Sequence, residues 1–377
     1  QAMSRSICRC WFLLVVLNLA GSVWAEDPPP IAGDSYVSEQ GEHFNVLQKL
    51  EPVESPGGTT SYRTNTVIQL ESGLNYRHPL GFWQASEATF RLEGGDAIGD
   101  QTPHKVRLPG ILGPQTRVHV TLPDGSVAES RVFGLAYYEP ESGRSVLLAE
   151  LKDSNGVLEA PNQIVYPDAF TDLVADLVFI HRRSGIEQDV VLREAPPGPE
   201  EFGLDPAKTR LEVWTEFLAA PEPELQAEVL NPTEVSEQGS APLVDHTVDF
   251  GSMRMDRGTA FPDGAPREFL SFVSKEWLQM DGNRNFLVET VEYGAVESGL
   301  RDLPASQEGA FLPVLRGRAV VGAPRGLRPS PYRGEGIQIA SATHRPSRGN
   351  GLVLDYTLAT SATNFVFAAG ETYYVTG

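Results

Sequence analysis

Residues 172–192, DLVADLVFIHRRSGIEQDVVL, contain two apolar runs on either side of the polar connection His181–Gly185. Both runs are rich in valine, isoleucine, leucine and phenylalanine, and each has the length of a strand rather than that of a helix. The glycine that closes the connection is typical of a chain reversal. The stretch therefore predicts two adjacent antiparallel strands. Further short β-prone runs lie on both sides of it.

Turn signals repeat along the chain at the spacing of short strands. Pro123–Gly125 (PDG) separates two β-prone runs, because proline sets the first turn angle and glycine supplies a positive φ. Asp153–Gly156 (DSNG) and Asp281–Gly282 predict two further hairpins. We find no internal repeat of fixed period and no long amphipathic helix. The sequence therefore predicts an all-β protein, an antiparallel β-sandwich that forms either one large sandwich or two packed subdomains.

Composition divides the chain into six predicted segments. A short N-terminal amphipathic helix is predicted at 42–50, with Phe44, Leu47 and Leu50 on one face. The clearest break is the Pro-rich run that follows Ala195. The segments are a signal peptide at 1–25, a flexible leader with the short helix at 26–60, a β-sandwich subdomain at 61–195, a Pro-rich linker at 196–206, a second β subdomain at 207–365 and the start of a further, truncated β domain at 366–377.

The N-terminus has the order of features of a secretory signal. Arg5 and Arg9 precede the apolar run Trp11–Leu17, which is too short to span a bilayer. Val23–Ala25 (VWA) supplies the residues that a signal peptidase reads, so cleavage is predicted after Ala25. An uncleaved membrane anchor is the alternative. Both cysteines of the chain lie before the cleavage point, so the predicted mature protein contains none. The signal predicts a protein that is secreted or exposed at a bacterial cell surface.

The chain is strongly acidic. Its formal net charge is −20, from 50 Asp and Glu against 30 Lys and Arg. Such a field repels nucleic acid and anionic membrane surfaces. The predicted partners are the downstream domains of the same polypeptide, with extracellular glycans or surface proteins as further candidates. We expect no nucleic-acid partner and no membrane span after signal removal.

Signatures of common enzymes are missing from the sequence. It contains no nucleophile elbow, no zinc-protease histidine pair, no phosphate-binding loop and no dinucleotide glycine fingerprint. The seven histidines show no i, i+2 or i, i+4 pairing, so neither a metal site nor a cofactor is predicted. A calcium loop at Asp281–Glu292 is the alternative to a hairpin there, but Phe286 occupies the position where the loop needs glycine. We therefore predict no catalytic residues and no enzyme activity.

A group of carboxylates lies in and around the strand pair predicted at 172–192. Two carboxylates at the right separation act as acid and base on a glycosidic bond, which makes a glycan-active enzyme one alternative. With 50 acidic residues among 377, this density also follows from composition alone. On alternating strands we expect solvated or turn-capping positions. The group consists of Asp168, Asp172, Asp176, Glu187 and Asp189.

Aromatic and basic side chains are the candidate binding residues. Trp83 and Trp277 lie on or beside predicted strands, where a tryptophan fits either a core or an exposed sugar-stacking face. Arg325, Arg328 and Arg333 make one loop locally basic, which suits an anionic partner or an ordinary solvated loop. A carbohydrate-binding module that uses exposed aromatics is therefore a second functional hypothesis.

Several stretches resemble, in order, a segment near the start of very large secreted bacterial proteins that carry LamG-like, parallel β-helix or Rhs-type repeats downstream. The resemblance implies an extracellular setting and a chain that continues beyond this segment. It brings no catalytic or binding residues, and the basic loop at 322–336 has no counterpart in it. The stretches are ESGLNYRHPLGFW (71–83), NQIVYPDAFTDLVADLVFIHRRSGIEQDVVLRE (162–194) with FGLDPAKTRLEVWTEF (202–217), KEWLQMDGNRNFLVETV (275–291) and LDYTLATSATNFVFAAGETYYVTG (354–377).

The leading functional hypothesis is a non-catalytic structural or interaction module at the N-terminus of a larger secreted or surface protein. It depends on the secretory signal, the missing enzyme signatures and the β-prone end of the chain. TYYVT (372–376) stops at Gly377 without a polar tail, and an uncovered terminal strand invites pairing with other chains. We therefore expect Gly377 to be a truncation point.

Overall fold

Strands form most of the structure. The computed structural model describes residues 35–54, 57–58, 60–230, 243–264, 269–280, 283–304, 312–315, 338–339, 352–360 and 372–375. Within these ranges the strands build several sheets, in which antiparallel pairing dominates, and one α-helix is present. The predicted all-β, sandwich-like class is therefore confirmed.

The strands are numbered here in chain order. Those before the 3₁₀ turn Pro199–Phe202 are β1 Ser35–Gly41, β2 Phe44–Glu54, β3 Thr60–Leu70, β4 Asn75–Arg77, β5 Trp83–Ala85, β6 Arg91–Glu93, β7 Asp96–Gly99, β8 Lys105–Leu108, β9 Ile111–Leu112, β10 Val118–Thr121, β11 Val127–Glu139, β12 Arg144–Glu150, β13 Ser154–Asn155, β14 Val157–Ala160, β15 Gln163–Tyr166, β16 Ala175–His181 and β17 Gly185–Leu192. Those after it are β18 Arg210–Ala219, β19 Glu224–Leu230, β20 Leu243–Asp249, β21 Met253–Met255, β22 Gly258–Pro262, β23 Ser271–Met280, β24 Arg284–Glu292, β25 Leu312–Leu315, β26 Gln338–Ile339, β27 Leu352–Thr360 and β28 Thr372–Val375. The helix α1, Tyr293–Arg301, follows β24 directly.

The chain divides into two compact units. The first comprises residues 1–36 and 48–65, and in it the Ser61 hydroxyl donates a hydrogen bond to the Val53 carbonyl at 3.2 Å. The second comprises residues 37–47 and 66–377 and contains all strands from β4 to β28. All sites discussed below belong to the second unit.

The predicted helix at 42–50 is wrong, because this part of the chain is mostly the strand β2. Its spacing of Phe44, Leu47 and Leu50 fits a helix, but an isolated helix of nine residues is marginal in water. Extended backbone instead lets Asn45 bond to neighbouring segments: its amide donates to Gln69 at 3.3 Å and accepts from Asn75 at 2.8 Å. Tertiary pairing thus overrides a weak local preference.

One large sheet is organised around β11. Along one edge β11 pairs with β18 from Glu129 to Tyr138. Along the other edge it pairs first with β10 at residues 127–130 and then with β12 at residues 134–139. We call this the β11 sheet, and its members are β6, β7, β8, β10, β11, β12, β18, β23, β24 and β25.

A second large sheet is organised around β17. The hairpin of β16 and β17 is antiparallel from Ala175 opposite Leu192 to His181 opposite Ile186, which confirms the strand pair predicted at 172–192. On its other side β17 pairs with β27. We call this the β17 sheet, and its members are β14, β15, β16, β17, β19, β20, β21, β22, β26 and β27.

The main hydrophobic core collects side chains from both large sheets. Leu135 and Tyr137 of β11 join Leu177 and Phe179 of β16 in a single cluster of buried residues. Within β11 and β16, alternate side chains point into this cluster. Burial at about 25 cal/mol per Å² of apolar surface makes such a core the main stabilising contribution.

The three predicted hairpins compare differently with the observed strand pairing. PDG does connect β10 to β11, with φ of 87° at Gly125, so this prediction is confirmed. The strands on either side of Asp281–Gly282 pair with each other, although these two residues lie outside the described ones. The DSNG hairpin is wrong, because Ser154 and Asn155 pair with β9 and the Ser154 hydroxyl donates to the Pro167 carbonyl at 2.6 Å.

Strands from both sides of the Pro-rich run 196–206 share one sheet. β11 precedes this run and pairs with β18, which follows it. β18 then pairs with β24, from Arg210 opposite Glu292 to Phe217 opposite Asn285. The run itself leads from β17, a strand of the β17 sheet, to β18 of the β11 sheet.

Replacement of Phe170 by alanine tests the core. Phe170 is completely buried, so we expect Phe170→Ala to lower the free energy of unfolding by about 3–5 kcal/mol. Phe82→Ala is the matched control, because half of the Phe82 side chain is exposed and its loss is expected to change stability by about 0.5 kcal/mol. Urea titration of both variants measures the difference. Equal losses would show that Phe170 does not belong to the core.

Candidate functional site

A row of side chains crosses the outer face of β6, β7, β8 and β10. Antiparallel pairing sets Arg91 opposite Ile98, which lies opposite Arg107. Arg107 in turn lies opposite His119, and His119 opposite Glu129 of β11. Directly opposed side chains have Cβ atoms about 5 Å apart. The register therefore brings together side chains from five strands, of which the four from β6, β8, β10 and β11 are ionisable.

Alternation along β8 decides which of its residues face solvent. Val106 and Leu108 are buried in the core, so Lys105 and Arg107 project from the opposite, exposed face. The backbone between β6 and β7 makes a tight turn. Gly94 and Gly95 both have positive φ, 62° and 93°, as a tight two-residue hairpin turn requires.

These strands form an open cleft of about 400 Å³. Three cations and two carboxylates line it, together with two other polar residues, two aliphatic ones and a glycine. No phenylalanine, tyrosine or tryptophan is among the residues that line this cleft. The lining residues are Arg91, Lys105, Arg107, Glu93, Asp100, His119, Thr121, Ile98, Val106 and Gly94.

Arg107 is held from beneath by Asp96. Its Nε and Nη2 atoms lie 2.8 and 2.7 Å from Asp96 Oδ2, and the Gly110 N–H donates to Asp96 Oδ1 at 3.1 Å. The Arg107 side chain is 63% exposed, whereas that of Asp96 is 23% exposed. The carboxylate thus fixes the orientation of a guanidinium that remains open to solvent.

His119 is oriented by a second carboxylate. Glu129 lies 3.3 Å from His119 Nδ1 and accepts a hydrogen bond from Arg117 at 2.6 Å. The Arg117 bond is the main influence that lowers the pKa of Glu129, so this carboxyl stays ionised at neutral pH. On the far side of the ring, Nε2 lies 3.4 Å from Thr121 Oγ1.

Arg91 closes the cleft on the side of β6. It donates to Asp100 at 2.8 Å and also pairs with Glu93. These two hydrogen bonds raise the pKa of Arg91 above its already high ordinary value. The cleft therefore places hydrogen-bond donors and acceptors in close alternation, which suits the binding of a polar ligand.

The two tryptophans predicted as candidate binding residues have different surroundings. Trp83 in β5 is half-buried, and the guanidinium carbon of Arg77 lies 5.3 Å from the centre of its ring. Trp277 is only 9% exposed and packs in the core against Phe217 and Phe250, with ring centres 5.0 and 5.8 Å apart. Trp277 is therefore a core residue, which is one of the two surroundings that the sequence left open for it.

One exposed aromatic surface lies at the turn between β4 and β5. Leu80 is 81% exposed, and half of Phe82 is exposed. The Phe82 ring stacks on His78 with ring centres 4.5 Å apart. The other predicted residues, Arg325, Arg328 and Arg333 and the cleavage site Ala25, lie outside the described residues.

The carboxylates between 168 and 189 are mostly engaged in ion pairs. Asp176 accepts from Arg193 Nε at 2.8 Å and from the Asp168 backbone N–H at 2.9 Å. Glu187 accepts from Arg182 at 2.7 Å. The Asp168 side chain accepts from Lys152 at 2.8 Å. Hydrogen bonds to arginine, lysine and backbone groups thus fix these carboxylates to the fold.

A buried histidine pair is a feature that sequence spacing did not indicate. The rings of His104 and His181 meet edge to face with centres 5.1 Å apart, and both residues are fully buried. Thr102 Oγ1 lies 3.0 Å from His181 Nε2 and donates to the His104 carbonyl at 2.5 Å. Within the described part of the chain, neither ring nitrogen of His104 makes a hydrogen bond of good geometry.

Burial keeps both rings neutral. It lowers the pKa of His104 to about 3, with a further contribution from His181. Burial likewise lowers the pKa of His181 to about 4, against the opposing influence of the Thr89 backbone and Asp100. Across the described ranges, no group of three or more His, Cys, Asp or Glu side chains is placed to hold a metal ion.

Comparison with protein-family models, curated proteins and solved structures gives no match for this chain. None of the helical segments that the structure describes has the length and hydropathy needed to cross a bilayer. The functional interpretation therefore depends on the geometry of the chain's own side chains.

Acidification is expected to destabilise the fold through the histidine pair. In the unfolded chain imidazole titrates near pH 6.5, far above the folded values of about 3 and 4. Between about pH 6.5 and pH 4 the unfolded state therefore binds more protons, and the free energy of unfolding falls as pH falls. We expect a loss of about 2 kcal/mol per histidine between pH 7 and pH 5.

Urea unfolding of His104→Phe and His181→Phe at both pH values checks this expectation. Each variant removes one titrating ring, so its loss of stability between pH 7 and pH 5 should be smaller than that of the unchanged protein. His78→Phe, on the exposed β4–β5 turn, is the control and should keep the original pH dependence. An unchanged pH dependence in both buried variants would contradict the assignment.

Proposed function

We propose that this chain is a non-catalytic extracellular interaction module of a larger secreted or surface-attached bacterial protein. The secretory order of features at the N-terminus supports export. The resemblance of several stretches to the start of giant secreted repeat proteins supports a continuing polypeptide. Within that protein, the module offers polar and apolar surfaces to partners.

The observation that carries the proposal is the state of the carboxylates. A glycoside hydrolase needs one carboxyl with a raised pKa and a second one free to attack or to activate water. Here Asp176, Glu187 and Asp168 are each bound to an arginine or a lysine. The Asp176 side chain is 6% exposed, so the pair with Arg193 holds two elements of the fold together. Such groups stabilise a scaffold and do not suit a catalytic acid.

Substitution of Asp176 separates a structural role from a catalytic one. We expect Asp176→Asn to lower the free energy of unfolding by about 1–3 kcal/mol, because a buried charged hydrogen bond to Arg193 is weakened. Glu187→Gln is the control: its partner Arg182 is half exposed, so we expect a change of less than about 1 kcal/mol. Urea titration gives both values.

The same proteins are then incubated with neutral and acidic polysaccharides, and released reducing ends are measured. We expect no release above buffer for the unchanged chain. Hydrolysis that disappears in Asp176→Asn or Glu187→Gln would overturn the non-catalytic proposal, whatever the stability values show.

A second candidate function is neutral-carbohydrate binding at the β4–β5 turn. The stacked pair of His78 and Phe82, with the exposed Leu80, offers an apolar face of the kind on which sugar rings pack. We expect Phe82→Ala to abolish binding to a neutral glycan array if this function holds. Trp277→Phe, a conservative core change, should leave such binding intact.

A further inference from the structure

We propose that the cleft on β6, β7, β8 and β10 binds an acidic saccharide, with Lys105 and Arg107 as ligands for its anionic group. This inference rests on the proposed function, because it names the ligand class of one interaction site of the module. It concerns a site separate from the aromatic turn between β4 and β5.

The first reason is the local sign of charge. The chain as a whole carries a net charge of −20, yet the cleft is lined by three cations, Arg91, Lys105 and Arg107, against two carboxylates, Glu93 and Asp100. A concave surface focuses the field of its own charges. Arg91 is paired with Glu93 and Asp100 and Arg107 with Asp96, so these charges balance, whereas Lys105 has no ion pair among the described residues. The cleft therefore favours a single negative group over an extended polyanion, which the rest of the surface repels.

The second reason is that the Arg107 guanidinium is already oriented before a ligand binds. Asp96 occupies its Nε and Nη2 atoms and is itself fixed by the Gly110 N–H. Arg107 Nη1 makes no ion pair or hydrogen bond in the described part of the chain. Because the carboxylate restricts the side chain before a ligand arrives, less conformational entropy is lost on binding.

The third reason is Lys105, which neighbours Arg107 on the same strand face. It is exposed, and among the described residues its ammonium forms no ion pair. Its cross-strand partner is Thr121, whose hydroxyl lies beside the His119 ring. An anionic group placed over β8 thus meets an ammonium and a guanidinium edge, while hydroxyl donors and acceptors lie on the next strand.

The remaining lining defines the rest of the ligand. Glu93 and Asp100 are acceptors for ligand hydroxyls, whereas Thr121 and His119 donate or accept. Neutral sugars are commonly held by stacking on aromatic rings, and the residues that line this cleft include no phenylalanine, tyrosine or tryptophan. A hydroxyl-rich molecule with one acidic group fits this set. The cleft volume of about 400 Å³ lies within the range of small-molecule sites, about 300–1,000 Å³.

Calorimetric titration of the full chain tests the proposal. The probes are a glucan tetrasaccharide that carries one hexuronate residue, a glucan tetrasaccharide that carries one sulfate group and the neutral glucan tetrasaccharide, each at 20 mM and 300 mM NaCl. We expect the acidic probes to bind, the neutral one not to bind, and affinity to fall at the higher salt concentration. The tighter of the two acidic probes identifies the anionic group as carboxylate or sulfate.

Substitutions locate the site. We expect Lys105→Gln and Arg107→Gln each to weaken binding by about tenfold or more, because each removes one charged hydrogen bond. Arg254→Gln is the matched control: it is a half-exposed arginine paired with Asp256 elsewhere on the surface, and its variant should bind as the unchanged chain does. Thermal unfolding confirms that each variant is folded.

The outcomes separate this inference from the proposed function. Absent binding, equal binding of the neutral probe, or unchanged affinity in both cleft variants overturns the cleft assignment while a non-catalytic module still stands. Hydrolysis of any probe overturns the proposed function and is detected separately, as new reducing ends.

Discussion

The pairing of β11 is the constraint on which the rest of the structure depends. One edge of this strand is occupied along its length by β18, and the other edge is shared by β10 and β12. The change of partner falls between Ser130 and Gly134, where the pairing of β11 with β18 also shifts register, between Val132 and Gly134. Every strand of the β11 sheet takes its position from this arrangement, directly or through a neighbour.

The cleft follows from that constraint through alternation. β10 is fixed against β11, β8 against β10, and β7 against β8, so each outward position is determined. Inward residues such as Val106 fill the core, and their neighbours Lys105 and Arg107 must face solvent. The same alternation thus produces the packed interior and the charged exterior of these strands. The positions of the charged side chains therefore depend on the packing of the apolar residues beneath them.

Local sequence predicts some elements of this structure and misses others for physical reasons. The strand pair at 172–192 and the PDG turn are encoded within a few residues, so they are predictable. The cleft depends on the register between strands, and the histidine pair joins residues that are far apart in sequence. Alternation shows that Trp277 faces one side of its strand, but not that the core lies on that side. The short helix predicted at 42–50 does not form, because most of this segment is a strand that pairs with neighbouring segments.

The path of the β11 sheet also bears on how the protein is made. β11 needs β18, and β18 needs β24, so the middle of the sheet remains incomplete until residue 292 has joined it. Contacts between such distant segments form slowly, because long loops must close before any pairing is gained. During synthesis, the middle of the β11 sheet can therefore close only after residue 292 has been made.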